Sequence, residues 1–68
     1  MPVVNIYRTH VTILRTAMGR YGITQMELAR RSGVDQGNIS RILAGKRPDT
    51  TSNTWDKLFN ALYEEFGD

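Results

Sequence analysis

A chain of 68 residues, 40% of them hydrophobic, can enclose only one small core, so residues 1–68 read as a single domain. No cysteine is present and only one histidine, which excludes disulfide staples and thiolate metal sites and fits a reducing compartment. The net charge is +2, but residues 1–48 hold eight Lys/Arg against two Asp/Glu and residues 49–68 hold one against five, a basic body with an acidic end that suits a phosphate-facing surface on one side.

Residues 1–5, MPVVN, read as an N-terminal arm. Val3 and Val4 favour extended backbone, and Pro2 lacks a donor. The opening decapeptide has no long apolar run, so neither a signal peptide nor a membrane span is expected. A first helix is predicted from about Ile6 to Tyr21. Tyr7, Val11, Leu14, Met18 and Tyr21 step by four and three, forming one apolar stripe opposite Arg8, Thr12, Arg15 and Thr16. Ile13 falls off that stripe. His10 lies at its edge, where a lone histidine is far more often packed than a ligand or base. Gly19 costs the helix up to ~1 kcal/mol relative to Ala, so either a close approach or an early end is expected there. Gly22 is the better stop signal.

Residues 24–45 read as two short helices joined by a glycine turn. Thr24 and Glu27 have the spacing of a capping box, which starts a helix at Gln25, with Leu28 and Ala29 facing inward. Gly33 ends it, Val34 follows, and Asp35 is positioned to cap the next helix, where its charge also suits the helix dipole. Gly45 and then Pro48 close that second helix. On a wheel of about 100° per residue, Ile39, Ile42 and Leu43 fall together. Gln36, Gly37, Ser40, Arg41 and Ala44 fall opposite, and Asn38 is at the border. The outward face carries no acid. Gln can pair bidentately with adenine and Arg with guanine, and a small apolar group can touch a thymine methyl. A plainly solvated helix face would look the same on the wheel. Gly37 has no side chain to read with and is expected to tolerate Ser or Ala unless the backbone is pressed against DNA there.

Residues 46–53, KRPDTTSN, form a polar loop with two cations at its start. A last helix is predicted from Asn53 or Thr54 to about residue 66. Trp55, Leu58, Phe59, Leu62, Tyr63 and Phe66 give it a wide apolar face. A small core does not obviously cover them all, so Phe59, Tyr63 and Phe66 are candidates for a partner surface. The alternative is that they close over the first helix.

In the order Gln25, Leu28-Ala29, Gly33-Val34, Gln36, Ile39-Ser40-Arg41-Ile42, Gly45 and Lys46-Arg47, the chain resembles the helix-turn-helix of the Cro and lambda-repressor family of bacterial and phage regulators. The resemblance spans roughly residues 10 to 62. It implies an all-α fold, a compact bundle of four to five short helices. It also implies that the second helix of the motif enters the major groove while the first crosses the backbone. Base contacts then fall to Gln36, Gly37, Asn38, Ser40 and Arg41. Phosphate contacts fall to Thr24, Gln25, Lys46, Arg47, Thr50 and Thr51. Trp55, Leu58 and Leu62 occupy the family's core positions. Two departures stand out. Many relatives pair an Arg in the first helix with a Glu in the recognition helix, where this chain has Met18 and Leu43, so an apolar contact is expected instead. The sequence also stops soon after its last helix, where many relatives continue into a fifth, which leaves the dimer geometry open.

The expected function is a sequence-specific double-stranded DNA-binding regulator, a Cro-like repressor acting as a homodimer on a pseudo-palindromic operator. Such a protein belongs in the cytoplasm, nucleoid-associated, of a bacterium or phage-infected host. The alternative is an antitoxin-like or protein-binding helical module that uses the aromatic edge of the last helix. Neither a nucleophile with its base and orienter nor a metal set is evident, so no enzyme, catalytic residue, metal, cofactor or small-molecule ligand is expected. The expected core is Leu14, Met18, Ile23, Leu28, Ala29, Val34, Ile39, Ile42, Trp55, Leu58 and Leu62.

Overall fold

The computed structural model describes residues 6–66, with side chains up to residue 63. The expected arm at residues 1–5 and the side chain of Phe66 therefore lie outside the described residues. Among these there are four helices and no strand: α1 Ile6–Tyr21, α2 Gln25–Ser32, α3 Gln36–Leu43 and α4 Ser52–Phe66. The architecture is all-α, as the 3.6-residue patterning requires.

The apolar stripe of α1 buries Leu14 and Met18 and half-buries Tyr7, Val11 and Tyr21 against the core. Ile13 stays 44% exposed, off the stripe as its phase demands. Both α3 and α4 pack against α1 and α2. Leu14, Leu28, Ile39, Ile42, Leu58 and Leu62 are wholly enclosed, with Met18, Ile23, Val34 and Trp55 close behind. Fully burying an aliphatic side chain stabilises by about 1.5–3 kcal/mol, so these few residues must offset most of the entropy lost on folding.

The core differs from expectation at three alanines. Ala29 is only half-buried. Leu28 is the residue of α2 that points fully inward, and its neighbour is turned about 100° away from it. Ala17 and Ala61 are buried but were not expected. A search for bulky apolar stripes passes over side chains this small, though close-packed helices need them where they approach. Gly19 is corrected as well: α1 continues through it, and an added Cβ would meet nothing within 4 Å, so no close approach explains it.

Candidate nucleic-acid interface

The pair α2–α3 is built by its caps. Thr24 Oγ1 accepts from Glu27 N–H at 3.1 Å, which starts α2 at Gln25. Glu27 directs its Oε2 to Arg30 and Arg31 on the next turn. Those guanidinium bonds, Arg30's first, hold the Glu27 carboxyl below the usual carboxylate range. Gly33 adopts φ 79°, a left-handed conformation that costs a glycine little, and its N–H returns to the Ala29 carbonyl at 3.0 Å. Ser32 Oγ accepts from Val34 N–H at 3.0 Å, tightening the turn. Asp35 Oδ2 then accepts from Asn38 N–H at 3.1 Å and opens α3. At the far end Gly45 takes φ 83°, Lys46 N–H reaches the Arg41 carbonyl at 2.9 Å, and Gly45 N–H reaches that of Ile42 at 3.1 Å. That paired pattern is a Schellman closure, so the glycine expected to end the helix does so.

Between these caps α3 divides as the wheel requires. Ile39 and Ile42 are fully buried, and Leu43 packs at the core's edge. Met18 is buried and Leu43 half-buried, so both positions expected to carry an apolar contact in place of an ion pair are inside or at the rim. Gln36, Ser40, Arg41 and Ala44 are exposed, and Gly37 and Asn38 are intermediate. The outward face is therefore contiguous and open.

Gly37 has one close neighbour. A Cβ added there would sit 2.9 Å from Asp35 Oδ2, the oxygen that caps the helix, and 3.7 Å from the Arg41 guanidinium. That oxygen is the tip of a flexible side chain, so Ala or Ser enters with a small shift of the Asp35 carboxylate.

The loop after α3 is more structured than its composition suggests. Tyr7 donates its hydroxyl hydrogen to the Ile42 carbonyl and accepts from Arg47 N–H at 3.4 Å. Arg47 folds back: Nη1 donates to Asn38 Oδ1 at 2.9 Å and Nε to Asp49 Oδ1 at 3.2 Å. That second bond holds the Asp49 carboxyl low. Thr50 Oγ1 donates to the Arg47 carbonyl at 2.6 Å. Thr51 Oγ1 accepts from Thr54 N–H at 3.3 Å, so it caps α4, which begins at Ser52, slightly ahead of its expected start.

The six residues expected at phosphates consequently differ in availability. Lys46 is exposed, and Gln25 stands half-buried at the start of α2. Thr24 serves as a cap and retains its hydroxyl hydrogen, while Thr51 serves as a cap and also shares a hydrogen bond of 3.2 Å with the Thr54 hydroxyl. Thr50 has given its hydrogen to a carbonyl, and Arg47 has given two donor groups to side chains. Tyr7 and Asp49 were not foreseen as parts of this arrangement. The position of Tyr7 on the apolar stripe accounts for its ring but says nothing of its hydroxyl, and the Arg47–Asp49 spacing was the one local signal for the ion pair.

The aromatic edge is partly absorbed by the fold. His10 stacks on Trp55 with centroids 4.9 Å apart and also meets Phe59 at 5.8 Å. Phe59 stacks between Trp55 and Tyr63, at 5.9 and 6.2 Å. His10 is thus a packed side chain. Phe59 is half-buried, while Tyr63 is 47% exposed. Tyr63 borders an open groove of about 290 Å³ shared with Ile13, Ala17, Arg20 and Tyr21. Among the described residues no helix is long and apolar enough to cross a membrane, and no cluster of three or more acids or histidines could hold a metal ion.

Residues 12–62 match the family model described as a helix-turn-helix domain. The chain belongs to the helix-turn-helix domain family. The match runs from α1 into α4 and so contains the whole of the capped pair α2–α3. Paired helices of this kind are a DNA-binding device in which the second helix is presented to the major groove. No curated protein and no solved structure matches the chain.

Proposed function

We propose that this helix-turn-helix protein is a sequence-specific regulator of transcription, a Cro-like repressor that reads double-stranded DNA with α3. The observation that carries the reading is the division of α3: Ile39 and Ile42 wholly inside, Gln36, Ser40 and Arg41 exposed. The long polar side chains of Gln36 and Arg41 reach base edges, with Ser40 and Gly37 between them and Asn38 at the flank. Thr24 and Gln25 at the start of α2, and Lys46 after α3, meet the sugar–phosphate backbone. Arg47, Thr50 and Thr51 contribute there through the donors that their internal bonds leave over. The protein pairs with a second copy on a pseudo-palindromic operator, using the aromatic edge of Phe59 and Tyr63, to which the sequence adds Phe66. It works in the cytoplasm, at the nucleoid, without cofactor, metal or catalytic group.

The test is a salt titration of binding to duplex DNA. Each neutralised phosphate adds about −0.9 to the slope of log K against log salt. A steep fall supports the reading. Binding that is absent, or indifferent to salt, contradicts it and favours a protein-binding module working through the aromatic edge.

A further inference from the structure

Arg41 lies about one helical turn beyond Gly37, and side chains on a helix lean toward its N-terminus. The Arg41 guanidinium follows that rule. The point that a Gly37 Cβ would occupy has Arg41 Nη1 at 3.7 Å, Arg41 Nη2 at 3.9 Å and Asp35 Oδ2 at 2.9 Å. A guanidinium and a carboxylate thus flank one empty space over the first turn of α3. A side chain longer than Ala at position 37 would extend into that space. Arg41 is exposed, and among the described residues it makes no hydrogen bond or ion pair. Its five N–H donors therefore stay available.

Asp35 is itself fixed. Its Oδ2 accepts from Asn38 N–H at 3.1 Å as the cap of α3. An ionised carboxylate offers about four lone-pair sites on two oxygens, so the cap bond leaves acceptor capacity over. Its charge attracts a guanidinium this near, weakly because both groups are exposed. A weak attraction is enough to favour one rotamer of a long side chain over others of similar energy.

We propose that the first turn of α3 is a seat for the Arg41 guanidinium, in which Gly37 leaves the space and Asp35 supplies the charge that aims it. Asp35 is then a positioning residue, and Gly37 sets specificity without a side chain that touches a base. Seated there, Arg41 presents its fork on the same turn as Gln36. Guanine, whose O6 and N7 both accept, is the base that fits it. The seat also gives a reason for a carboxylate to stand beside a surface meant for phosphates, which it would otherwise repel. This inference rests on the proposal that α3 reads DNA.

Binding-site selection from random duplexes decides it, run on the full chain as wild type, Asp35→Asn, Gly37→Leu, Arg41→Ala and the double variant Asp35→Asn/Arg41→Ala. Asn caps a helix about as well as Asp, so Asp35→Asn removes the charge and keeps the cap. Thermal unfolding of each variant checks that it folds. Arg41→Ala identifies the base pair that Arg41 reads, a guanine in the wild-type motif. Asp35→Asn lowers the preference for guanine at that pair alone, by up to about fivefold, the worth of an exposed ion pair. Its affinity for random duplex is kept or raised, since one negative charge near the phosphates is gone. In the Arg41→Ala background Asp35→Asn changes no preference. Gly37→Leu relaxes the same base pair. A purely capping role for Asp35 would leave base preference untouched in Asp35→Asn, and that result overturns the proposal. So does an equal change of preference with and without Arg41, or a Gly37→Leu variant that keeps the guanine. A Gly37→Leu variant that folds but binds no duplex places the helix backbone against the DNA and overturns the seat as well. A wild type that selects no motif at all overturns the DNA-reading proposal itself, an outcome distinct from the others.

Discussion

Gly37 occupies the second position of α3, where the cap oxygen of Asp35 passes 2.9 Å from the place a Cβ would take. In an open helix Gly→Ala stabilises by up to about 1 kcal/mol. Here the close atom is the tip of a flexible side chain, which a small rotation moves aside, and α2 keeps the same cap bond, Thr24 to Glu27 N–H, with Met26 at the equivalent position. Gly37→Ala is therefore expected to leave stability unchanged or raise it by up to about 1 kcal/mol, and Asp35→Ala to lower it by about 0.5–2 kcal/mol through loss of the cap. Thermal unfolding measures both, and a melting temperature for Gly37→Ala well below that of the wild type would show that the Asp35 carboxylate cannot give way. Sequence could not supply this close approach. It depends on where a carboxylate two residues back comes to rest, and the same side chain is invisible as a neighbour when read as a cap.

At the scale of the element, the helix-turn-helix was legible because its signals are local. Thr24 and Asp35 announce two helix starts, and Gly33 and Gly45 announce two ends, each through bonds spanning five residues or fewer. The bonds that hold the pair in place are not local: Tyr7 lies 35 residues from Ile42 and 40 from Arg47 in sequence. Composition marked Arg47 as a cation beside a helix, but only the folded loop turns it toward Asn38. The small side chains Ala17 and Ala61 stayed hidden for a related reason, since periodicity weighs bulk and packing rewards fit. The central residue of α3 is Ile39, fully enclosed while its neighbour Ser40 is exposed. Ile39→Ala is expected to cost about 2–5 kcal/mol, because a buried branched side chain leaves a cavity. Denaturant unfolding measures this, and a midpoint unchanged from wild type would show that α3 is not anchored there. Ser40→Ala, one residue on, is expected to leave stability within about 0.5 kcal/mol.

At the scale of the whole molecule, one small core carries one helix-turn-helix, and a single recognition helix touches few base pairs. Two copies related by a twofold axis double the contacts, with half-sites about 34 Å apart along the duplex. Tyr63 beside the open groove, continuing the row of Trp55 and Phe59, is the surface expected to bring them together. Footprinting on a selected site is expected to show two symmetric protected segments one helical turn apart. Protection of a single segment would contradict the pairing. Tyr63→Glu is expected to abolish the second footprint and leave the first, since a carboxylate in an apolar contact between copies is costly to desolvate.

The central claim is that α3 reads bases while the residues flanking it hold the backbone, and one comparison tests it most directly. Arg41 is exposed on the outward face of α3, and Lys46 is exposed just past its closing glycine. Affinities of Arg41→Ala and Lys46→Ala are measured on a selected duplex and on random duplex, each at two salt concentrations. Arg41→Ala is expected to lose roughly 1–3 kcal/mol on the selected duplex and much less on random DNA, as the removal of one bidentate base contact requires. Lys46→Ala is expected to weaken both duplexes by similar factors and to reduce the salt slope by about one. The opposite pattern, with Arg41→Ala lowering both affinities equally and Lys46→Ala altering base preference, would contradict the assignment of roles while leaving the fold intact.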